Sequence, residues 1–346
     1  MSNTPPNAAP LVLAADAAAI KRAADLLRRG GLVAFPTETV YGLGADALNA
    51  AAVQRIFAAK GRPATNPLIV HAVDTDAARE LVDNWPAIAQ RLAGHFWPGP
   101  LTLVLNRNDR VPAITTAGGP TVALRVPAHA VARALLRAAN TPIAAPSANR
   151  STRVSPTTAE HVRAGLGERV DLILDGGATT GGIESTVLDL TTAPPRVLRL
   201  GLVTPDALSA AIGEPVAVAV RHAASNHAAR PRSPGQSARH YAPHARLVVA
   251  PRGGETETRR AMTRGERVGW LRLQRGAPTP VDAAVVALDM PHAADDYAAR
   301  LYAALHELDA AGVSVIIVDE PPRAPEWAAI HDRLRRAATA DETDPS

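Results

Sequence analysis

FPTETVYGLGA (residues 35–45), followed one helix-length later by KGRPATNPLIVH (60–71), is the stretch on which the fold turns. Two shorter segments echo it, TVALRVP (121–127) and APSAN (145–149). Each joins an apolar, strand-like run to a Pro- or Gly-bent end rich in hydroxyl, amide and cationic groups. Strand ends that converge in this way build a pocket, and these groups suit a phosphate-bearing ligand.

Working outward, alternating helix and strand signals run along the whole first part. Asp16 is placed to cap a helix reaching Arg29, stopped by Gly30 and Gly31. LVAF is a buried strand ended by Pro36, and Asn49 caps a helix ended by Gly61. Residues 67–72 read as a strand, and two helices follow over 76–82 and 86–95. LTLVL and TVALRV are strands, and Pro127 opens the next helix. PIAA is a strand running into PSAN, and a helix is expected from Pro156 to Ala164. DLILDGG, ESTVLDL and RVLRLG are three closely spaced strands, which predicts antiparallel neighbours. These elements predict a mixed α/β domain over residues 15–213.

Residues 214–245 form the expected linker. Between Arg221 and Arg246 it holds five Arg and four His and no acidic residue, and it contains SPGQSARHYAPH. Its Pro and Gly bends favour an ordered lid over a flexible basic tether. A second domain is expected over 246–338. RLVVAP, RVGWLRL, AAVVALD and VSVIIVDE read as strands, with helices over 295–311 and 325–338. Strands alternating with helices predict a small doubly wound parallel sheet. The residues before 11 and the segment TADETDPS are expected to be disordered.

Composition narrows the function classes. The chain has 346 residues, a length of roughly two domains. With aromatics at only 3%, the core must rest on Ala, Val, Leu and Ile. There is no cysteine, which excludes disulfides, thiolate catalysis and Cys-ligated zinc and agrees with a cytoplasmic setting. No apolar run approaches the ~18 residues of a membrane span, and the opening residues lack the charged and apolar regions of a signal peptide. The charge of +4 leans weakly toward an anionic partner.

The phosphate-loop pattern G-x-x-x-x-G-K-[ST] is absent. Gly42-x-Gly44-x-x-Ala47 imitates a dinucleotide fingerprint, but Pro36 to Tyr41 separate it from its strand, so the glycines are expected to bend the chain beside a pocket. Position alone allows Lys60 and Arg62 to be mere helix-end cations. Gly61 and Pro63 fix the backbone around both, however, and a point charge beside a planar fork suits a polyphosphate. Arg125, set between Leu124 and Val126, needs an anionic partner or a wet face. Thr37, Glu38, Thr39, Ser147 and Asn149 fit turn and cap chemistry individually. His240 and His244 have i,i+4 spacing, but Pro243 argues against a helical zinc face; no metal ligand set is identified.

The ordered set FPTETVYGLGA, KGRPATNPLIVH, FWPGPLTLVL, TVALRVP, APSAN, GGIESTVLDL and RVLRLG resembles the threonylcarbamoyl-AMP synthase (YrdC-like) family. SPGQSARHYAP and the second domain resemble its longer, two-domain type; together the likeness covers residues 15–338. The resemblance implies a twisted mixed sheet with helices and a positive concave face. It implies formation of threonylcarbamoyl-AMP and pyrophosphate from L-threonine, bicarbonate (or CO2) and ATP, with Mg²⁺ accompanying the ATP and no organic cofactor. A separate tRNA threonylcarbamoyl transferase machinery would then modify the adenosine beside the anticodon. Carried over by motif, Lys60, Arg62, Ser147 and Asn149 form the family signature and bind the nucleotide, with Lys60 and Arg62 catalytic and neutralising phosphate charge. Thr39, His71, Arg125 and Ala145 fall where the family holds threonine. Arg62, Asn66, Thr121, Ser147, Ser155 and Arg199 fall where it holds the nucleotide, and His240 and Tyr241 fall on the linker motif that reaches back over it. In this reading Arg125 holds a carboxylate bidentately.

Two other readings compete. A basic surface leaves room for weak RNA binding, although base-stacking aromatics are scarce and no cationic stripe is evident. Carbamoyl transfer to a maturing metalloenzyme would require zinc-finger-like cysteines or an acylphosphatase-like segment, and the chain has no cysteine. No membrane partner is expected.

Overall fold

The computed structural model describes residues 10–219, 240–251, 253–273 and 284–339. Most of the linker, the opening residues and the end of the chain lie outside these, as do the expectations made for them. The described chain forms two compact units. The first takes residues 10–151, 156–180 and 184–219; the second takes 152–155, 181–183 and the residues from 240 onward.

The first unit opens with β1 (Leu11–Ala14), α1 (Ala17–Arg28), β2 (Val33–Pro36), β3 (Tyr41–Asp46) and α2 (Ala50–Lys60). Next come β4 (Ile69–His71), α3 (Thr75–Arg79), α4 (Ala87–Phe96), β5 (Leu101–Asn106), β6 (Thr121–Arg125), α5 (Ala130–Ala139) and β7 (Ile143–Ala144). It continues with α6 (Ala159–Leu166), β8 (Leu172–Asp175), β9 (Thr186–Asp189), β10 (Arg196–Arg199), α7 (Pro205–Ile212) and β11 (Ala217–Val218). The eleven strands make one mixed sheet in the order β1-β8-β2-β3-β7-β4-β6-β5-β9-β10-β11.

Local chemistry sets the helix ends. Asp16 accepts from the Ala19 N–H (2.8 Å) and Asn49 from Ala51 and Ala52, satisfying donors that a first helical turn leaves open. Gly61 ends α2 at φ 60°, a left-handed position that glycine adopts without a Cβ penalty. α5 starts at Ala130, three residues later than Pro127 suggests. The Ala128 N–H is held by Glu38, and His129 supplies the cap. α6 starts at Ala159, capped by Thr158. Pro156 instead offers its carbonyl to the Tyr41 N–H (2.9 Å), which keeps it extended beside β3.

Two expectations are corrected in the sheet. β8 is not a neighbour of β9; it lies between β1 and β2, parallel to both. Residues 176–185 are long enough to carry the chain across the sheet, and of these three strands only β9 and β10 form an antiparallel pair. Gly42 and Gly44 do not bend the chain. They lie inside β3, paired to β2. A Cβ on Gly44 would sit 2.8 Å from the Phe35 ring and 2.9 Å from Ile143, so glycine there permits close packing of side chains across the strands.

Both faces of this sheet carry cores. Leu43, Val70, Leu103, Leu124 and Leu188 join α2 and α4 in the larger one. On the opposite face α1 and α5 cover Val33, Phe35, Ile143 and Leu174. Beyond α1 and α5 that face carries only a small patch of strand residues, Ile69, Val104, Ala123 and Val187. The polar side chains of the site border this patch.

The second unit contains β12 (Arg246–Ala250), α8 (Glu255–Thr263), β13 (Val268–Arg272), β14 (Val285–Asp289), α9 (Ala294–Ala310), β15 (Val315–Asp319) and α10 (Ala328–Ala338). Its four strands run parallel in the order β12-β15-β13-β14, as the helix–strand alternation predicts. The last helix begins at Ala328, after a 3-10 turn over Pro325–Trp327.

Candidate active site

Register brings His71, Thr121, Arg125 and Arg199 onto one face of the first unit's sheet. β4 and β6 are parallel, with Ile69 opposite Ala123 and His71 opposite Arg125. Because side chains alternate, Val70, Val122 and Leu124 enter the large core while His71, Thr121 and Arg125 turn to the other side. β10 carries an irregularity between Val197 and Arg199 that sets Arg199 opposite Val187, on this same face. Thr121 and Arg125, at opposite ends of β6, are about 13 Å apart along the strand at ~3.3 Å per residue. This separates the expected nucleotide end from the expected amino-acid end.

At the amino-acid end, Arg125 is buried and held from several sides. Its Nε donates to the Gly99 carbonyl (3.2 Å), and its Nη2 donates to Glu38 Oε1 (2.6 Å) and Thr39 Oγ1 (3.0 Å). Thr39 and Thr37 share a hydroxyl hydrogen bond of 2.8 Å. Among the described residues nothing engages Nη1, so one edge of the guanidinium is left for a ligand and the carboxylate contact it offers is single, not bidentate. Burial pushes the Glu38 carboxyl upward. Arg125 and the Ala128 N–H more than offset this and hold it below the ordinary carboxylate range.

His71 is fully enclosed. Burial first, and then the Arg125 charge, lower its pKa to about 3, so the ring is neutral near pH 7. Its Nδ1 is buried with no hydrogen-bond partner among the described residues. An orphaned ring nitrogen beside a buried guanidinium is a costly arrangement that a bound polar ligand would relieve. Ala145 donates its N–H to the Ile69 carbonyl (2.9 Å), so only its carbonyl remains for contact with an amino acid.

At the nucleotide end, Lys60 and Arg62 flank Gly61, and both are buried. Lys60 Nζ donates to the Ser147 carbonyl (2.6 Å), to the Asn149 carbonyl and to Asn149 Oδ1 (3.2 Å). Burial, and then Arg62, push its pKa well below the ordinary lysine range, with Glu184 acting in the opposite sense. Arg62 donates to the carbonyls of Asn66 (3.3 Å) and Pro67 (3.0 Å). Asn66 Oδ1 is a second buried atom with no hydrogen-bond partner among the described residues. Ser147 Oγ donates to Asn149 Oδ1, and Asn149 Nδ2 donates to the Arg150 carbonyl (2.9 Å). Arg199 lies elsewhere along the sheet: it is opposite Val187, which is opposite Thr102, so the register sets it nearer the level of Arg125 than that of Thr121, and it donates to the Ser185 carbonyl and to Ser185 Oγ, both at 3.0 Å.

Three sequence-predicted residues belong to the second unit. Ser155 is fully buried there, and its carbonyl lies 3.1 Å from His306 Nε2. The His240 N–H donates to the Arg336 carbonyl (3.3 Å). Tyr241 takes a left-handed φ of 63° and stacks on Tyr302, with the Arg333 guanidinium 4.8 Å from its ring centre. Among the described residues no three His, Cys, Asp or Glu side chains converge as a metal site.

Sequence reasoning underrated Glu38, Glu184 and Ser185. Glu38 was read as turn chemistry and is the counter-charge of Arg125. Ser185 ties Arg199 to Thr102, whose hydroxyl is 2.8 Å from its own. The alternation of GGIESTVLDL carries the signal for Ser185, since it shares the face of Val187.

The comparisons agree with this architecture. A family model described as telomere recombination matches residues 25–201, and the model for the threonylcarbamoyl-AMP synthase C-terminal domain matches 203–339. A curated threonylcarbamoyl-AMP synthase of Pyrococcus abyssi is 41% identical over 92% of this chain and 94% of its own. One from Bacillus subtilis is 42% identical over 92% of each. A crystal structure of P. abyssi Sua5 complexed with L-threonine superposes with a TM-score of 0.84 at 40% identity, covering 95% of this chain and 96% of that one. The chain belongs to the threonylcarbamoyl-AMP synthase family, in its two-domain form.

Proposed function

We propose that this protein forms threonylcarbamoyl-AMP and pyrophosphate from L-threonine, bicarbonate or CO2, and ATP. The observation that carries the reading is the pairing of His71 and Arg125 at adjacent strand ends, one with an orphaned nitrogen and the other with one unengaged guanidinium edge. Such a pair suits a small zwitterion better than RNA. The P. abyssi structure with L-threonine supports the choice of amino acid.

In this reading the threonine carboxylate meets Arg125 Nη1, and neutral His71 and Thr39 accept from or donate to its polar groups. The amine adds to CO2 and loses a proton, giving a carbamate. A carbamate oxygen then attacks the α-phosphorus of ATP, and the bond to the leaving pyrophosphate breaks. Arg62, Asn66, Thr121, Ser147, Asn149 and Arg199 hold the nucleotide. Positioning and neutralisation of charge supply most of the rate in such transfers. Mg²⁺ would enter with the nucleotide substrate and would neutralise phosphate charge there.

The product is a mixed anhydride that water hydrolyses, so it must pass to a separate transferase acting on tRNA. A cytoplasmic setting belongs to this reading; among the described residues no helix is long and apolar enough to cross a membrane. The test is pyrophosphate release with single omissions. Release should require both threonine and bicarbonate. Release unchanged without threonine would instead mark a nucleotide hydrolase.

A further inference from the structure

We propose that Lys60 is a positioning residue of the nucleotide site: its ammonium holds the 147–149 turn in shape and does not touch the triphosphate. The inference deepens the synthase reading and rests on it. An ammonium has three N–H groups and no more. Three oxygens meet Nζ of Lys60, and all belong to this turn: the Ser147 carbonyl, the Asn149 carbonyl and Asn149 Oδ1. A phosphate oxygen would have to displace one of them from the ammonium and give up a charge-assisted hydrogen bond that shapes the turn.

The clamp has two ends. Through its backbone carbonyl Lys60 accepts from the Ser151 N–H (2.9 Å), while its side chain grips residues 147 and 149. The same turn is tied to β3 by the Ala148 N–H donating to the Tyr41 carbonyl (2.8 Å). Asn149 Oδ1 receives both Lys60 Nζ and Ser147 Oγ, which sets the orientation of both polar side chains presented by the turn. The mutual geometry of Ser147 and Asn149 thus depends on Lys60. Arg62, a planar fork with five N–H groups, is the cation of the pair suited to phosphate.

Calorimetric binding of ATP and of AMP to wild type, Lys60→Met, Lys60→Arg, Asn149→Ala and the Lys60→Met/Asn149→Ala double variant tests this. Lys60→Met should weaken ATP and AMP by the same factor, about tenfold. The double variant should be no weaker than Asn149→Ala alone, because Lys60 acts only through this turn. Lys60→Arg should resemble Lys60→Met, since a planar fork cannot meet three converging oxygens. A loss much larger for ATP than for AMP, additive losses in the double variant, or rescue by Lys60→Arg would each overturn the proposal.

Should the variants not fold, the ¹⁵N resonance of the wild-type Lys60 ammonium decides. It should keep its shift when ATP is added, and a large ATP-dependent change would mean direct phosphate contact. Adenylate formation by wild type is followed in parallel. A protein that binds ATP in the predicted pattern without forming adenylate would overturn the synthase reading and leave the clamp standing.

Discussion

At the residue scale the account rests on charges buried with specific partners. Glu38 and Arg125 are both largely shielded from solvent, with side chains 14% and 4% exposed. Breaking such a pair leaves an uncompensated guanidinium, so Glu38→Gln should destabilise the protein by about 3 kcal/mol. If a substrate carboxylate reaches the same guanidinium, L-threonine should stabilise the variant more than it stabilises wild type. Thermal unfolding with and without L-threonine measures both effects; equal shifts in the two proteins would remove Arg125 from amino-acid binding. His71 gives a second prediction. Its folded pKa of about 3 lies below the ordinary value of 6.5, so between these values the unfolded chain binds the extra proton. Stability is then fully present above pH 6.5 and falls as pH drops toward 3. Between pH 6.5 and 5 this group should cost about 2 kcal/mol. Denaturant titration of wild type and His71→Gln at both pH values checks it: the variant should lack this part of the acid loss. Glu38, also depressed, adds to the acid loss only below about pH 4.5.

At the element scale, much was legible because the signals are local. Asp16, Asn49 and Gly61 mark helix ends through their own side chains or backbone freedom, and the structure places all three as read. What failed was long-range. Nothing in DLILDGG indicates that β8 inserts between β1 and β2, since that choice is made by strands more than a hundred residues away. β3 was missed because two glycines lower its strand propensity, and the reason for them, contact with Phe35 and Ile143, is tertiary. That contact is testable. Gly44→Ala should destabilise by about 1–3 kcal/mol through overpacking, measured by denaturant unfolding. A neutral result would mean that Phe35 and Ile143 yield to the added methyl and that close packing is not the reason for glycine there. Of the site itself, the polar residue types were readable from the motifs. Which partner each one holds was not: the Glu38–Arg125 pair and the three acceptors of Lys60 exist only once β6, the Thr37–Thr39 turn and the 147–149 turn are assembled.

At the scale of the whole molecule, the first unit carries the His71–Arg125 pair and the Lys60 clamp, and the second is a separate parallel α/β unit. A site that hydrogen-bonds the threonine hydroxyl should reject valine far more strongly than serine, because valine leaves polar groups unpaired while serine lacks only a methyl. Competition of valine and serine with threonine in the pyrophosphate assay checks this, and equal use of valine and threonine would contradict it. The most direct test of the central claim is mass detection of the adenylate formed from ATP, L-threonine and ¹³C-bicarbonate. The account predicts a product containing AMP, threonine and one ¹³C atom, accompanied by an equal amount of pyrophosphate. Pyrophosphate or phosphate released with no ¹³C entering a threonine-bearing adenylate would contradict it.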